Sequence, residues 1–270
     1  MTLELIQLLV LHNVCCFSEV NGVIYFVIMP YLYQNSLDRV VVRLVSRPLC
    51  MSYDILVMGK RPYSIYLIPS FKELFSVNFD IKLCSASDRF ITLSNGFSAL
   101  IYDRRYGYSS ILACARFIKA IGNVVVTYCN GKIWLRGVNT VYRFKYVPND
   151  VILGDRGILV CTNNGLYFVN STVTKRIGSP CKGLIRLDSM LITFNNKELR
   201  VYRGKELSLT KKFNDEITKV RAYRDRIYIL FNDGDFAVFK VLSVDSDLAT
   251  TIVYVSSLLS AIYLIARRRT

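Results

Sequence analysis

A pattern that returns about every 34 residues constrains this chain more than any other feature. Each copy is a polar or small residue, a run of β-forming residues, and a turn rich in Asn, Asp or Gly. The copies read GVIYFVIMP from Gly22, DILVMGKRP from Asp54, RFITLSNG from Arg89, NVVVTYCNG from Asn123, GILVCTNNG from Gly157, SMLITFNNK from Ser189 and RIYILFNDG from Arg226. Their first apolar residues are Val23, Ile55, Phe90, Val124, Ile158, Met190 and Ile227, so the spacings are 32, 35, 34, 34, 32 and 37. A unit this short cannot bury an apolar face alone, and stacking of such units is how repeat sequences build a core.

Each copy carries more than one strand. A second run follows the turn, as in KIWLRGV from Lys132, GLYFVNS from Gly165, ELRVYRG from Glu198 and DFAVFKV from Asp235. Asn130-Gly131, Asn164-Gly165 and Asp233-Gly234 suit tight hairpins, because Asn, Asp and Gly tolerate the positive φ such turns need. A third run comes next, as in TVYRFKYV from Thr140, TVTKRIG from Thr172 and ELSLTKKF from Glu206. A short fourth element, DVILGD from Asp150 or ITKVRAYRD from Ile217, leads into the following copy. Four short strands per unit predict a propeller blade, somewhat shorter than the usual ~40 residues.

The chain ends of this repeat predict how the ring closes. The seventh copy stops after its second run, near Val241 and Leu242, and lacks an outer strand. The segment Thr2 to Leu11, TLELIQLLVL, belongs to no copy of its own. Placed outside the seventh copy, it completes that blade and removes the exposed sheet edges of an open ring. The expected fold is therefore an all-β, seven-bladed β-propeller over residues 1–243, closed by its N-terminal strand. An open β-sandwich is the competing architecture, and it would not need seven evenly spaced copies.

Residues 244–270 read as a short linker, a transmembrane helix over residues 248–266, and a basic end. The run opens at Leu248, closes at Ala266 and holds no charge. As a helix it would be about 28 Å long, close to the hydrocarbon thickness of a bilayer. Asp245 and Asp247 precede it, and Arg267, Arg268 and Arg269 follow. Three arginines favour the cytoplasmic side, which would put the propeller outside. The N-terminus argues the other way, since MTLELIQLLVLHNVCC has no basic leader and carries Glu4 and Gln7 within its apolar part. A cytosolic propeller on a membrane anchor, at the endoplasmic reticulum of a eukaryote, is the expectation.

The formal net charge is +15, from 35 basic and 20 acidic residues. Such a balance points to an acidic partner, although the charge is spread along the chain rather than clustered. A protein partner is expected and nucleic acid is not. The eight cysteines form no C-x-x-C pair and most sit in apolar runs. They read as small buried hydrophobes in a reducing compartment, without a disulfide framework.

No reaction chemistry assembles from the sequence, and neither a cofactor nor a metal site is expected. The one histidine, His12, can build neither a multi-His metal site nor a hydrolase triad. Gly59-Lys60 lacks the upstream Gly and the following Ser or Thr of a phosphate loop. Asp233-Gly234-Asp235 is too short for a calcium loop. Asp54, Asp80, Asp88, Asp155, Asp188 and Asp225 recur near copy starts, which suits turn acids better than a catalytic pair. Arg104, Arg105, Tyr106 and Tyr108 stand out as candidate partner contacts, because the run Arg104-Arg105-Tyr106-Gly107-Tyr108 combines cations and aromatics in a segment that does not read as strand. By contrast, alternation puts Tyr142, Phe144 and Tyr146 on one face of an ordinary outer strand and Arg143 and Lys145 on the other.

The segment ITKVRAYRDRIYILFNDGDFAVFKV from Ile217 resembles a degenerate WD-repeat blade in period and turn chemistry, without Gly-His or Trp-Asp dipeptides. A seven-bladed propeller on one C-terminal anchor is also similar in layout to the endoplasmic-reticulum exchange factors for Sar-type GTPases, the prolactin regulatory element-binding protein family. That resemblance implies a cytosolic propeller that accelerates nucleotide release and starts coat-protein-complex-II budding. It also implies a Gly-rich, potassium-binding loop in the first blade. This chain departs there: Gly22 is the one glycine up to Pro48, and the loop MPYLYQNSLD from Met29 has none. No functional residue carries over. Two other classes fit the same features: a membrane-tethered scaffold without a GTPase role, and an outward-facing propeller that binds envelope or sugar ligands, for which Asn170-Ser171-Thr172 would be a glycosylation acceptor.

Overall fold

The computed structural model describes residues 2–204 and 206–244. Within them lie 28 strands in seven antiparallel four-stranded sheets. Strand β1 (Thr2–Leu11) stands apart in sequence from its sheet. Blade 1 is β2 (Val14–Val20), β3 (Val23–Ile28), β4 (Tyr31–Gln34) and β5 (Ser36–Arg43). Blade 2 is β6 (Cys50–Ser52), β7 (Ile55–Met58), β8 (Tyr63–Leu67) and β9 (Lys72–Val77). Blade 3 is β10 (Leu83–Ala86), β11 (Phe90–Ser94), β12 (Ala99–Asp103) and β13 (Tyr108–Leu112). Blade 4 is β14 (Phe117–Ile121), β15 (Val124–Cys129), β16 (Lys132–Arg136) and β17 (Thr140–Arg143). Blade 5 is β18 (Asp150–Gly154), β19 (Gly157–Thr162), β20 (Gly165–Val169) and β21 (Thr174–Gly178). Blade 6 is β22 (Gly183–Leu187), β23 (Met190–Phe194), β24 (Glu198–Arg203) and β25 (Glu206–Lys212). Blade 7 is β26 (Ile217–Tyr223), β27 (Arg226–Phe231) and β28 (Phe236–Val244), with β1 outside.

The expected closure is what forms. β1 runs antiparallel to β28, from Thr2 opposite Val244 to Leu11 opposite Phe236, with one bulge between Gln7 and Leu9. The repeated run of the sequence is the second strand of each blade, and the short fourth element is the innermost strand of the next one. Blades stack on both faces, so second strands read as continuous apolar runs: every residue of β7 and of β11 is buried. Outermost strands face solvent and are polar, as in β13 and β21, which blunts the sheet edges. The Asn130-Gly131 turn between β15 and β16 has φ of 48° and 73°, the geometry its residues were selected for. Strand β17 stops at Arg143, earlier than the run TVYRFKYV suggests, yet the alternation continues: Phe144 is buried while Arg143 and Lys145 are exposed.

One polar device recurs at the period of the repeat. Ser52 Oγ accepts from the Ala86 amide at 3.2 Å, Ser85 Oγ from the Ala120 amide at 3.1 Å, and Asp150 Oδ2 from the Leu184 amide at 2.9 Å. Each bond ties one inner strand to the next and satisfies a buried donor there.

The cysteines correct the sequence reading. Three pairs are disulfide-bonded: Cys50–Cys84, Cys114–Cys129 and Cys161–Cys181. Cys50 and Cys84 are 34 residues apart, one repeat, and so occupy like positions on the inner strands of adjacent blades. Cys15 and Cys16 remain free.

No helix among the described residues is long and apolar enough to cross a membrane. The expected anchor over residues 248–266, with Leu248, Ala266, Arg267, Arg268 and Arg269, lies outside the described residues.

Candidate functional site

In an antiparallel blade, the turns after the first and third strands share one end of the ring, and the turn after the second strand shares the other with the connection to the next blade. The segment between β12 and β13, residues 104–107, therefore lies on the first end. That end also carries the β6–β7 and β10–β11 turns, and the last described residue of β28.

Charged residues from two blades hold this segment. Asp103, at the end of β12, is almost wholly buried and accepts from Arg89 Nε at 3.2 Å and Nη2 at 3.1 Å. Its other oxygen accepts from the Arg105 amide at 2.9 Å and fixes the turn. Arg104 leaves blade 3 altogether: both terminal nitrogens donate to the Asp54 carboxylate of blade 2, one at 2.6 Å. Beside them Tyr53 donates its hydroxyl to Asp88, and that carboxylate pushes the phenol up to about 12. Thus Asp54 and Asp88 are structural acids, as their recurrence suggested, and Asp80 pairs with Arg61.

The four candidate contacts separate on this geometry. Arg104 is spent on the inter-blade pair. Arg105, Tyr106 and Tyr108 face outward, with Tyr106 59% and Tyr108 57% exposed. The two rings stack at 6.2 Å, Arg105 lies 5.6 Å over Tyr106, and Arg89 approaches the same ring from the β10–β11 turn at 5.8 Å. A rigid, cation-backed aromatic pair combines large contact area with low ordering cost, which suits a protein-binding surface.

The innermost strands were not legible as a site. They carry charges whose partners lie in other blades. Lys119 on β14 donates to Asp150 Oδ1 and to the Val151 carbonyl. Lys219 on β26 reaches across to the carbonyls of Phe17 and Met51, both at 2.7 Å. Burial, aided by the neighbouring Arg221 charge, pulls the Lys219 ammonium down to about 7. The one sequence signal was a charge in the first strand of a blade, one in β14 and two in β26. Among the described residues no three His, Cys, Asp or Glu side chains converge as a metal site. His12 sits at the end of β1, exposed, 2.6 Å from Asp235.

Solved structures place this ring among known folds. BBS1N, from its crystal structure in complex with ARL6DN, matches with a TM-score of 0.63 at 13% identity, over 89% of this chain and 97% of that one. The Pan2 WD40 domain of Neurospora crassa matches at 0.58 and 10% identity, over 87% and 90%. The fold is a WD40-like seven-bladed propeller. The AfRom2 CNH domain gives 0.61 at 8% identity, over 90% and 100%. At such identities the likeness is one of fold. No protein family and no curated protein matches the propeller by sequence.

Proposed function

We propose that this WD40-like propeller is a protein-interaction module, working by binding rather than catalysis, and that its partner docks on the end bearing Arg105, Tyr106 and Tyr108. The observation that carries this is the exposed Tyr106–Tyr108 stack, held by a turn that Asp103 and the Arg104–Asp54 pair make rigid. An acidic protein surface is the matching chemistry. BBS1N is solved in complex with ARL6DN, and a propeller with a TM-score of 0.63 to this one belongs to a mitotic checkpoint complex. Those facts belong to the neighbours, and they support protein partners for rings of this shape.

The finer reading is a membrane-anchored exchange factor for a Sar-type small GTPase. Its support is the layout, a ring followed at once by the uncharged run 248–266. Three residues separate that run from β28, so an anchor there would bring the Arg105–Tyr108 end close to the bilayer, where a membrane-bound partner works. The full chain in vesicles, added to a Sar-type GTPase loaded with labelled nucleotide, should accelerate release. Tyr106→Ala with Tyr108→Ala should weaken binding by roughly tenfold or more, the usual loss for aromatic anchors. Unchanged release would end the exchange-factor reading, and unchanged binding by the variant would move the docking surface elsewhere.

The three disulfides favour a second reading, an outward-facing or lumenal propeller, because such bonds persist in oxidising compartments. Asn170 would then be available for glycosylation. A mass shift on enzymatic deglycosylation supports it; a chain whose eight cysteines all alkylate in intact cells without reductant excludes it.

A further inference from the structure

The two cysteines outside the disulfides sit where the ring closes. β2 carries a bulge: Val14 pairs with Ile28 and Cys16 with Val27, which leaves Cys15 as the extra residue. Consecutive residues of a regular strand point to opposite faces, and a bulge re-aims one of them. The two sulfurs therefore come together, with Sγ–Sγ at 3.6 Å. A cavity of about 430 Å³ opens at this point between blades 1 and 7, lined by Cys15, Arg47, Met29 and the turn that includes Asn232 and Asp233. Cys16 is not among its lining residues.

The charges around the pair select its chemistry. Arg47 neighbours Cys15 and the Lys219 side chain neighbours Cys16. Arg47, a permanent cation, opposes a bound metal cation and favours a thiolate at Cys15. The Cys16 thiol hydrogen-bonds to Cys15 and, against the opposing effect of burial, helped by Arg47, brings Cys15 down to about 7. Cys16 keeps its proton, since its bond to Cys15 and its burial both raise it. Cys15 lines the cavity and the Cys16 sulfur stands 3.6 Å from that of Cys15, so one sulfur meets an entering molecule and its neighbour is within reach of the product, the arrangement of an attacking and a resolving cysteine.

We propose that Cys15 and Cys16 form a thiol–disulfide exchange site at the ring seam, in which Cys15 attacks a small disulfide entering the cavity and Cys16 resolves the product to a vicinal disulfide. In the first step the Cys15 thiolate bonds to one sulfur of RSSR and expels RS⁻. In the second the Cys16 sulfur bonds to Cys15, its proton passes to the departing group, and RSH leaves. Two electrons move from the protein sulfurs to the small disulfide, and a thiol reductant reverses the reaction. The site belongs to the propeller itself and does not depend on which partner the ring binds.

The test uses the full chain, purified without reductant so that the other pairs stay bonded, and bis(2-hydroxyethyl) disulfide as probe. Mapping by proteolysis and mass should show the peptide holding Cys15 and Cys16 two hydrogens lighter, with no lasting adduct. Cys16→Ser should stop at a stable mixed disulfide on Cys15. Cys15→Ser should slow reaction at the remaining thiol by on the order of tenfold, the contrast between a sulfur that lines the cavity beside Arg47 and one that does not. Arg47→Ala, a change on an exposed connector, should slow Cys15 and leave the fold intact by circular dichroism. Equal rates for the two single variants, or lasting adducts on both sulfurs of the unaltered chain, would overturn the proposal.

Discussion

The arc from blade 2 to blade 6 and the seam between blades 7 and 1 are built differently, although the blades look alike. The arc holds all three disulfides, and Cys50–Cys84 joins two of its blades directly. The seam holds none. It is closed by β1 on β28 and by a core shared between the two blades: Leu11, Val14, Phe17, Phe26, Tyr228 and Phe236 among others. Its thiols are free. Covalent staples thus guard the contiguous part of the ring, while the join between blades 7 and 1 rests on packing, strand pairing and hydrogen bonds such as that from Lys219 to the Phe17 carbonyl. The seam is therefore the expected place for local opening, and it is also where the reactive thiol and its cavity lie.

The largest effect should come from emptying the seam. Phe236 is fully buried, with its ring 4.8 Å from that of Phe17 and stacked on Phe26 and Tyr228. Phe236→Ala should cost about 3–5 kcal/mol in urea unfolding. It should also speed labelling of Cys15, because it loosens the seam before the ring unfolds. Ile65→Ala, at a fully buried site in the stapled arc, should cost about 2–5 kcal/mol without that rise in labelling. Equal labelling in the two variants would erase the distinction between the regions.

A smaller effect should come from unstapling the arc. Replacing Cys50 and Cys84 together by Ser should cost about 2–4 kcal/mol. The loss should vanish when both proteins are compared in reductant, because the unaltered chain then lacks the same bond. A cost that survives in reductant would assign the contribution of these residues to packing instead.

Much of this architecture was open to reading from residues near one another in sequence. The seven copies, their Asn-Gly turns and the unclaimed segment Thr2 to Leu11 fixed the blade count and the closure, because period and turn chemistry are local properties. The disulfides were missed because pairing is a relation between repeats. Cys50 and Cys84 look unrelated until their separation of 34 is set against the blade period. Arg104 was grouped with its neighbours for the same reason: its partner Asp54 is 50 residues away, in a neighbouring blade. The bulge that brings Cys15 beside Cys16 had no signal beyond adjacency, since two consecutive cysteines on a regular strand face apart. Lys119 and Lys219 carry their charges in first strands, as the sequence shows. What each would meet depended on the ring having closed.

Lys219 offers the finest test of the seam, because it spans it. From blade 7 its amine reaches Phe17 in blade 1 and Met51 in blade 2, with the Phe17 ring 5.1 Å away. In the unfolded chain this lysine keeps its proton up to about 10.5; in the folded ring burial and Arg221 bring it to about 7. Between those values the unfolded chain binds the extra proton, so its contribution to stability rises with pH and is flat below about 7. Lys219→Met removes that slope and leaves two carbonyls without their donor. The stability of the unaltered chain relative to the variant should therefore increase from pH 7 to pH 8 by less than about 1.4 kcal/mol, the ceiling for one proton. A difference between the two proteins that stays flat from pH 7 to pH 8 would mean that Lys219 does not lose its proton on folding in that range, and that the seam carries no such electrostatic device.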